Sequence, residues 1–169
     1  MDHHSGEKIS AGTATAPLAR AIERHVCTAG DRGTALPELS FHRRHIPTEP
    51  VPCIYPLSLA VTVQGEKQVL AGDKVLNCFP GHSLLTTIDL PVVSHVTRAT
   101  TREPYLGLLL RLDVRAVALA ASEMTLPQPD RNRAQEQISM GRLDPALLDA
   151  LCRLVDLLDD SALLHAWRP

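Results

Sequence analysis

The chain has 169 residues, a net charge of -2 and 44% hydrophobic residues, which predicts one globular domain with a single core. This balance excludes a nucleic-acid surface built from clustered basic residues, and five aromatic residues are too few for a base-stacking platform. The four cysteines form no CxxC pair, and the sequence has no secretory segment or membrane-length apolar run. We therefore expect a soluble cytoplasmic protein with free thiols and no membrane partner.

Residues 1–34 are predicted to form a polar tail and one helix. The helix begins near Thr15, carries Pro17 in its first turn and meets a stop signal at Gly30. An apolar stripe at helical spacing indicates that this helix lies on a sheet. The stripe consists of Leu18, Ile22, Val26 and Ala29.

Residues 35–112 read as a unit of short strands. Residues 38–46 alternate weakly and carry basic and imidazole side chains, which favours an edge strand. Residues 47–56 contain four prolines, so we expect an extended arm without a regular hydrogen-bond ladder. This arm could form one wall of a pocket or serve as a plain connector.

The stretch from Leu57 to Val96 organises the rest of the chain. Its apolar runs are separated by the turn pairs Gly65-Glu66, Gly72-Asp73 and Pro80-Gly81, which is typical of a strand meander. A meander of this kind must curl into a small barrel or cover one face with helices. Two further apolar strands are predicted at residues 91–98 and 105–112.

Residues 113–169 are predicted to be mainly helical. Asp113 should cap a helix that ends near Met124, residues 126–137 form a loop, and Asp144 with Pro145 opens the strongest helix. The apolar stripe of this last helix either packs on the domain's own core or forms a dimer interface. Its members are Leu147, Leu148, Leu151, Leu154, Val155 and Leu158. A helical pattern restarts at Ser161, which we interpret as the start of a further element in a longer protein.

The sequence gives little support for a metal or a cofactor. A metal site inside a small barrel would need a His-x-His pair, which is missing, and His82 follows Pro80-Gly81 as a turn histidine. His42 and His45 fall on opposite faces of one strand and cannot share an ion. We expect no metal ligands and no cofactor.

No pattern for covalent catalysis is present either. The chain lacks a Gly-x-Ser-x-Gly elbow, a phosphate loop and a dinucleotide fingerprint, so no catalytic residue is expected. Cys53 and Cys78 could sense aldehydes or oxidants if their thiols ionised readily, but neither has a clustered basic partner. We favour buried, unreactive cysteines.

Four side chains combine a polar group with a place beside apolar strands, as contacts to a small ligand would require. For His95 and both tyrosines, core packing, with a satisfied hydrogen bond for the histidine, is the favoured interpretation, and a ligand contact is the alternative. The candidate ligand-binding residues are Tyr55, His95, Tyr105 and His42.

Several short motifs, read in order, resemble the N-terminal effector-binding domain of AraC-type transcriptional regulators. The resemblance covers about residues 36–164 and its motifs follow one another in the family's order. They are Thr48-Glu49-Pro50-Val51-Pro52-Cys53, Gln64-Gly65, Gly72-Asp73, Pro80-Gly81-His82 and Ile88-Asp89-Leu90-Pro91-Val92.

This resemblance implies an α+β, mainly β fold: a small cupin-like β-barrel at 35–112 between an N-terminal helix and C-terminal helices. It implies a small-molecule effector and a homodimer formed by the helices, so we favour the dimer interpretation of the last stripe. DNA would be bound only through a C-terminal helix-turn-helix domain absent from this chain. The alternatives are a metal-dependent cupin-like enzyme, such as an isomerase or dioxygenase, and a ligand-free dimerisation module.

Overall fold

The fold consists of two β-sheets and three α-helices, as seen in a computed structural model that describes residues 14–125 and 136–160. The strands of the six-stranded sheet are, in spatial order, β1 (Gly30–Gly33), β2 (Leu39–Arg44), β9 (Tyr105–Arg111), β4 (Ser58–Gln64), β7 (His82–Thr86) and β10 (Ile138–Arg142). Those of the four-stranded sheet are β3 (Val51–Tyr55), β8 (Leu90–Arg98), β5 (Glu66–Ala71) and β6 (Lys74–Cys78). The helices are α1 (Ala16–His25), α2 (Val114–Ser122) and α3 (Pro145–Asp156), the last followed by a 3-10 turn at Leu157–Asp159.

The predicted α+β, mainly β class is confirmed, but the described strands do not close into one barrel. Each sheet ends in two edge strands, β1 and β10 in the first and β3 and β6 in the second. A closed barrel would require pairing between these edges, and none is present within 14–125 and 136–160. Every strand pair in both sheets is antiparallel.

The strands predicted between Leu57 and Val96 are present, but most do not pair with their neighbours in sequence. The chain passes from one sheet to the other at Gly65 and again at Gly81, both at positive φ. Only β5 and β6, joined through Gly72, form a hairpin within this stretch. The meander prediction is therefore wrong in its pairing, because the same glycine turns can redirect a chain between sheets as well as reverse it.

Gly65 shows why such a turn needs glycine. Its φ is +75°, and a β-carbon placed on it would lie 2.6 Å from the carbonyl oxygen of Arg98 and 2.9 Å from the Cα of Tyr105. A side chain would be strained at that φ and would also collide with two neighbouring strands. The chain can pass from β4 in one sheet to β5 in the other here only because Gly65 has no side chain.

A helical layer covers the outer face of the six-stranded sheet. Alternate residues of β2, β4 and β9 point toward it, and α1 and α3 fill the space above them. The fully buried members of this core are Leu18, Ile22, Val26, Leu39, Phe41, Val61, Val63, Leu106, Leu108, Leu151 and Val155. The hydroxyl of Thr15 donates a 2.8 Å hydrogen bond to the carbonyl of Val63, which fixes the start of α1 on β4. The prediction that the first helix lies on a sheet is confirmed, although Ala29 lies beyond the helix and is exposed.

The stripe of α3 belongs to this same core. Leu151 and Val155 are buried in it, and the other four residues proposed for a dimer interface, Leu147, Leu148, Leu154 and Leu158, are partly buried against it. Packing within the chain thus accounts for the width of the stripe without a second subunit. By contrast, α2 buries none of its residues, and Val114, Val117 and Leu119 are at least half exposed. None of the described helices is long and apolar enough to cross a membrane.

Two local predictions in the first half of the β unit are wrong. Strand β2 is internal, because β1 pairs with its outer side in the register Asp31 with His42. The sequence Gly-Asp-Arg-Gly of β1 has no apolar alternation, so this strand was not predicted. The proline-rich arm contains a true strand, β3, which pairs with β8 alone and therefore tolerates Pro52, since an edge strand needs only half of its N–H groups.

The structure contains both helix caps that the sequence predicts in the second half of the chain. Asp113 caps α2 by accepting hydrogen bonds from the N–H groups of Arg115 and Ala116, and Asp144 caps α3 in the same way. Strand β10 was not predicted. Residues 126–135 of the predicted loop and the restart at Ser161 lie outside the described residues.

Candidate ligand-binding cavity

A cavity of about 380 Å³ lies between the two sheets. Its walls come from β1 to β9, and part of its lining is shared with the apolar cluster that holds the sheets together. The shared residues are Tyr55, Cys78 and Leu84. A concave, mainly apolar space with a few polar groups is the usual form of a small-molecule site.

Lys67 is the polar group that distinguishes this cavity. In β5 it pairs with Val96 of β8, and strand alternation places it with Val69 and Ala71 on the face directed at the other sheet. Its Nζ lies 4.9 Å from the centre of the Tyr55 ring, within reach of a cation–π interaction. Sequence analysis missed Lys67, although its spacing from Val69 and Ala71 in an alternating strand was a usable signal.

Lys67 remains protonated at neutral pH. Burial lowers its pKa, but interactions with Tyr105, Tyr55 and Cys78 outweigh that effect, and the net direction is upward. Burial raises the pKa of Tyr105 and of Cys78, with Lys67 partly opposing each shift, and it also raises that of Cys53. At neutral pH the phenol of Tyr105 and the thiols of Cys78 and Cys53 therefore remain uncharged.

The two tyrosines named as candidates both line the cavity and are nearly fully buried. The hydroxyl of Tyr55 is 3.0 Å from the hydroxyl of Ser94, a hydrogen bond between neighbouring strands. Tyr105 lies across Gly107, which has no side chain to displace the ring. Both residues thus combine core packing with a hydroxyl at the cavity wall.

His42 lies at one side of the cavity in a network of charged groups. Its Nδ1 is 2.8 Å from a carboxylate oxygen of Asp31, and the guanidinium of Arg44 is 2.7 Å from the same oxygen. The hydrogen bond from His42 and the charge of Arg44, opposed in part by burial, lower the pKa of Asp31 well below its usual range. His45, which directly follows β2, instead accepts a 3.0 Å hydrogen bond from the guanidinium of Arg43.

His95 borders the cavity but is placed differently from the other candidates. Its partner in β5 is Gln68, so alternation assigns it to the face of β8 opposite Ser94 and Val96. Its Nδ1 is buried and has no hydrogen-bond partner among the residues that the structure describes. Three of the four proposed ligand contacts therefore lie on inward faces, and His95 lies on the outward one.

His82 also lines the cavity, whereas the sequence suggested a turn residue without a site. It is the first residue of β7, and its Nδ1 is 3.2 Å from the carbonyl oxygen of Phe79. Among residues 14–125 and 136–160, no group of three or more His, Cys, Asp or Glu side chains is arranged to hold a metal ion.

Comparisons with known proteins bear on this arrangement. A family model described as the N-terminus of AraC-type transcriptional regulators matches residues 35–168. No curated protein sequence matches significantly. Among solved structures, apo ToxT K231A from Vibrio cholerae is similar, with a TM-score of 0.53 and 7% identity over 80% of this chain and 52% of ToxT.

Two further structures have lower scores. ToxT from Vibrio cholerae bound to an unsaturated fatty acid has a TM-score of 0.47 and 9% identity, with 72% of this chain and 48% of that chain covered. The AraC-like transcriptional activator CuxR has a TM-score of 0.35 and 12% identity, with 78% and 54% covered. The chain thus spans about half the length of these proteins.

Proposed function

The chain belongs to the family of AraC-type transcriptional regulator N-termini, and we propose that it senses a small molecule in the cavity between its two sheets. The observation that carries the proposal is the cavity itself, about 380 Å³ in volume and bounded by both sheets. Its size lies within the range of small-molecule sites. Tyr55, Tyr105, His42 and Lys67 supply polar contacts along a mainly apolar wall.

The proposed mechanism is a shift of population between two arrangements of the domain. A ligand that touches both sheets at once favours the conformation in which their spacing matches it. Strand β9 forms part of the wall, and its end is fixed by a 3.0 Å hydrogen bond from the N–H of Leu112 to the carbonyl of Leu57. Asp113 then begins α2 without an intervening loop. A change at the β9 wall is therefore transmitted directly to a helix.

The output of the sensor would lie outside this chain. We propose that DNA is bound by a C-terminal helix-turn-helix domain of the full-length regulator, which would act in the cytoplasm. We also propose that the chain forms a homodimer. Because α3 is packed on its own core, an interface that includes Leu147, Leu148, Leu154 or Leu158 would use only their remaining exposed surface.

The direct test is a ligand screen on the 169-residue chain. Small aldehydes, aromatic compounds, sugars and organic acids would be added while the midpoint of thermal unfolding is recorded, and hits would be confirmed by calorimetry. A bound compound at 100 times its Kd should stabilise the folded state by about 2.7 kcal/mol. Binding that is lost when Gly107 is replaced by alanine, but kept when Gly141 is replaced, would place the compound in the cavity. If no compound raises the midpoint, the sensor proposal fails.

A further inference from the structure

The cation inside the cavity, Lys67, forms no ion pair with a carboxylate among residues 14–125 and 136–160. Among the described residues, Arg44 at the cavity wall is paired with Asp31 and the exposed Lys74 is paired with Glu136. Lys67 is held by the ring and hydroxyl of Tyr55 and lies near Tyr105 and Cys78, none of which is a carboxylate. Of the lysine and arginine side chains at the wall, Arg44 has a carboxylate partner and Lys67 has none in the part of the chain that the structure describes.

A cation removed from water is costly unless an opposite charge or strong hydrogen bonds replace the lost hydration. The Tyr55 ring compensates in part, since a cation–π contact is weaker than a desolvated ion pair. The cavity lining is mainly apolar and includes Val96, Ala60 and Leu84, and its one carboxylate among the described residues, that of Asp31, is paired with Arg44. The charge of Lys67 is thus directed at a mainly apolar space.

From this arrangement we infer that the cavity takes a small organic monoanion, a carboxylate whose oxygens contact the ammonium of Lys67 and whose apolar body fills the space between the sheets. This inference rests on the proposed function, because it names the class of ligand for that same site. A single unpaired ammonium matches one negative charge, whereas phosphate groups are usually bound by several cations or by backbone N–H groups. Tyr55 and Tyr105 line the same cavity, so their hydroxyls offer additional polar contacts to the carboxylate.

The volume limits the size of the body. At about 30 Å³ for each water-sized unit, a cavity of about 380 Å³ holds roughly a dozen non-hydrogen atoms. An arylalkyl acid or a medium-chain aliphatic acid has this size. Long-chain acids would need the sheets to separate.

The test compares matched probes that differ only in charge: 3-phenylpropionate and octanoate, their primary amides, and 3-phenylpropylamine. In calorimetry with the 169-residue wild-type chain, each carboxylate should bind at least tenfold more tightly than its amide. The amine should bind more weakly still. In Lys67→Met the carboxylates should lose this advantage and bind within about twofold of the amides. Lys74→Met, which removes an exposed lysine outside the cavity, should keep the wild-type ratio.

The outcomes separate the two proposals. If an amide or the amine binds wild type as tightly as its carboxylate, the site is a sensor cavity without a charge requirement, and the inference is overturned while the proposed function stands. The same holds if Lys67→Met keeps the preference for carboxylates. If no probe of any charge and no compound of the wider screen binds, both fail. The wild-type comparison needs no variant, so a poorly folding Lys67→Met would be replaced by Lys67→Gln without losing the test.

Discussion

The hydroxyl oxygen of Tyr105 lies 2.6 Å from the position that a β-carbon on Gly107 would occupy. Both residues are on the inward face of β9, and Tyr105 is 4% exposed, so its ring has little room to move. Because Gly107 has no side chain, the phenol of Tyr105 can occupy this position in the cavity wall.

Replacing Gly107 with alanine should destabilise the domain by about 1 to 3 kcal/mol, the usual cost of overpacking a closed site. The measurement is urea unfolding followed by circular dichroism. The matched control is Gly141→Ala in β10, where nothing lies within 4 Å of the added carbon and the change should stay within about 0.5 kcal/mol. Tyr105→Phe removes the hydroxyl oxygen that lies nearest to the added carbon. The double variant should therefore lose less unfolding free energy than the sum of the losses in the two single variants.

Gly65→Ala should be more damaging than Gly72→Ala. Both glycines have positive φ, so each substitution carries a backbone cost of about 1 to 2 kcal/mol. Only Gly65 also has a backbone carbonyl, that of Arg98, 2.6 Å from the added carbon, whereas Gly72 has open space. Equal losses of unfolding free energy in the two variants would contradict the close approach of strands at Gly65.

The two capping aspartates should differ in their effect on global stability. Asp144→Ala removes the cap of α3, which is part of the core, and should lower the free energy of unfolding by about 1 kcal/mol. Asp113→Ala uncaps α2, which buries nothing, so fraying should occur with little global effect. Hydrogen exchange would distinguish the two, with faster exchange confined to α2 in Asp113→Ala.

The four thiols should react at different rates with iodoacetamide. Cys27 is exposed and should be labelled first, whereas Cys78 is buried and burial raises the pKa of its thiol. Because the thiolate is the reacting form, labelling of Cys78 and Cys53 should accelerate as pH rises. A compound bound in the cavity should slow labelling of these two and leave Cys27 unchanged, as read by mass spectrometry of peptides. Labelling of Cys78 as fast as Cys27 in the folded protein would contradict the enclosed cavity.

Acid stability should depend partly on Asp31. Its pKa in the folded state is lowered by His42 and Arg44, so the stability that it contributes is present above its unfolded pKa, about 4, and is lost as pH falls below that value. Unfolding by urea between pH 7 and pH 2.5 should therefore show a flatter pH profile for Asp31→Asn. The effect should be modest because the Asp31 side chain is 61% exposed. Asp89→Asn, at an exposed turn, is the control and should keep the wild-type slope.

Sequence reasoning located most of the strands and helices because hydrophobic period and capping residues are local signals. It failed where pairing partners decide the outcome. Strand β1 has no apolar residue and exists because β2 offers it a free edge. Strand β3 tolerates Pro52 because its outer side is unpaired. Neither condition is visible within the segment itself.

The cavity was predicted only in part for the same reason. Tyr55, Tyr105 and His42 could be selected by residue type, and they do line it. The inward or outward position of His95 depends on which face of β8 meets the other sheet, which the chain alone does not specify. Lys67 was not among the predicted ligand contacts, although its alternation with Val69 and Ala71 indicates an inward position.

The central position of β9 in the six-stranded sheet has a consequence for how the protein forms. Leu39 of β2 pairs with Leu110 of β9, and Thr62 of β4 pairs with Gly107 of β9. Strands β2 and β4 therefore cannot complete their pairing until β9, which lies much later in the chain, has been synthesised. Such distant pairings slow folding into the range of milliseconds to seconds. During synthesis the earlier strands would remain without their central partner until β9 has left the ribosome. Because β9 also supplies part of the cavity lining, the cavity between the sheets is complete only at the last stage of folding.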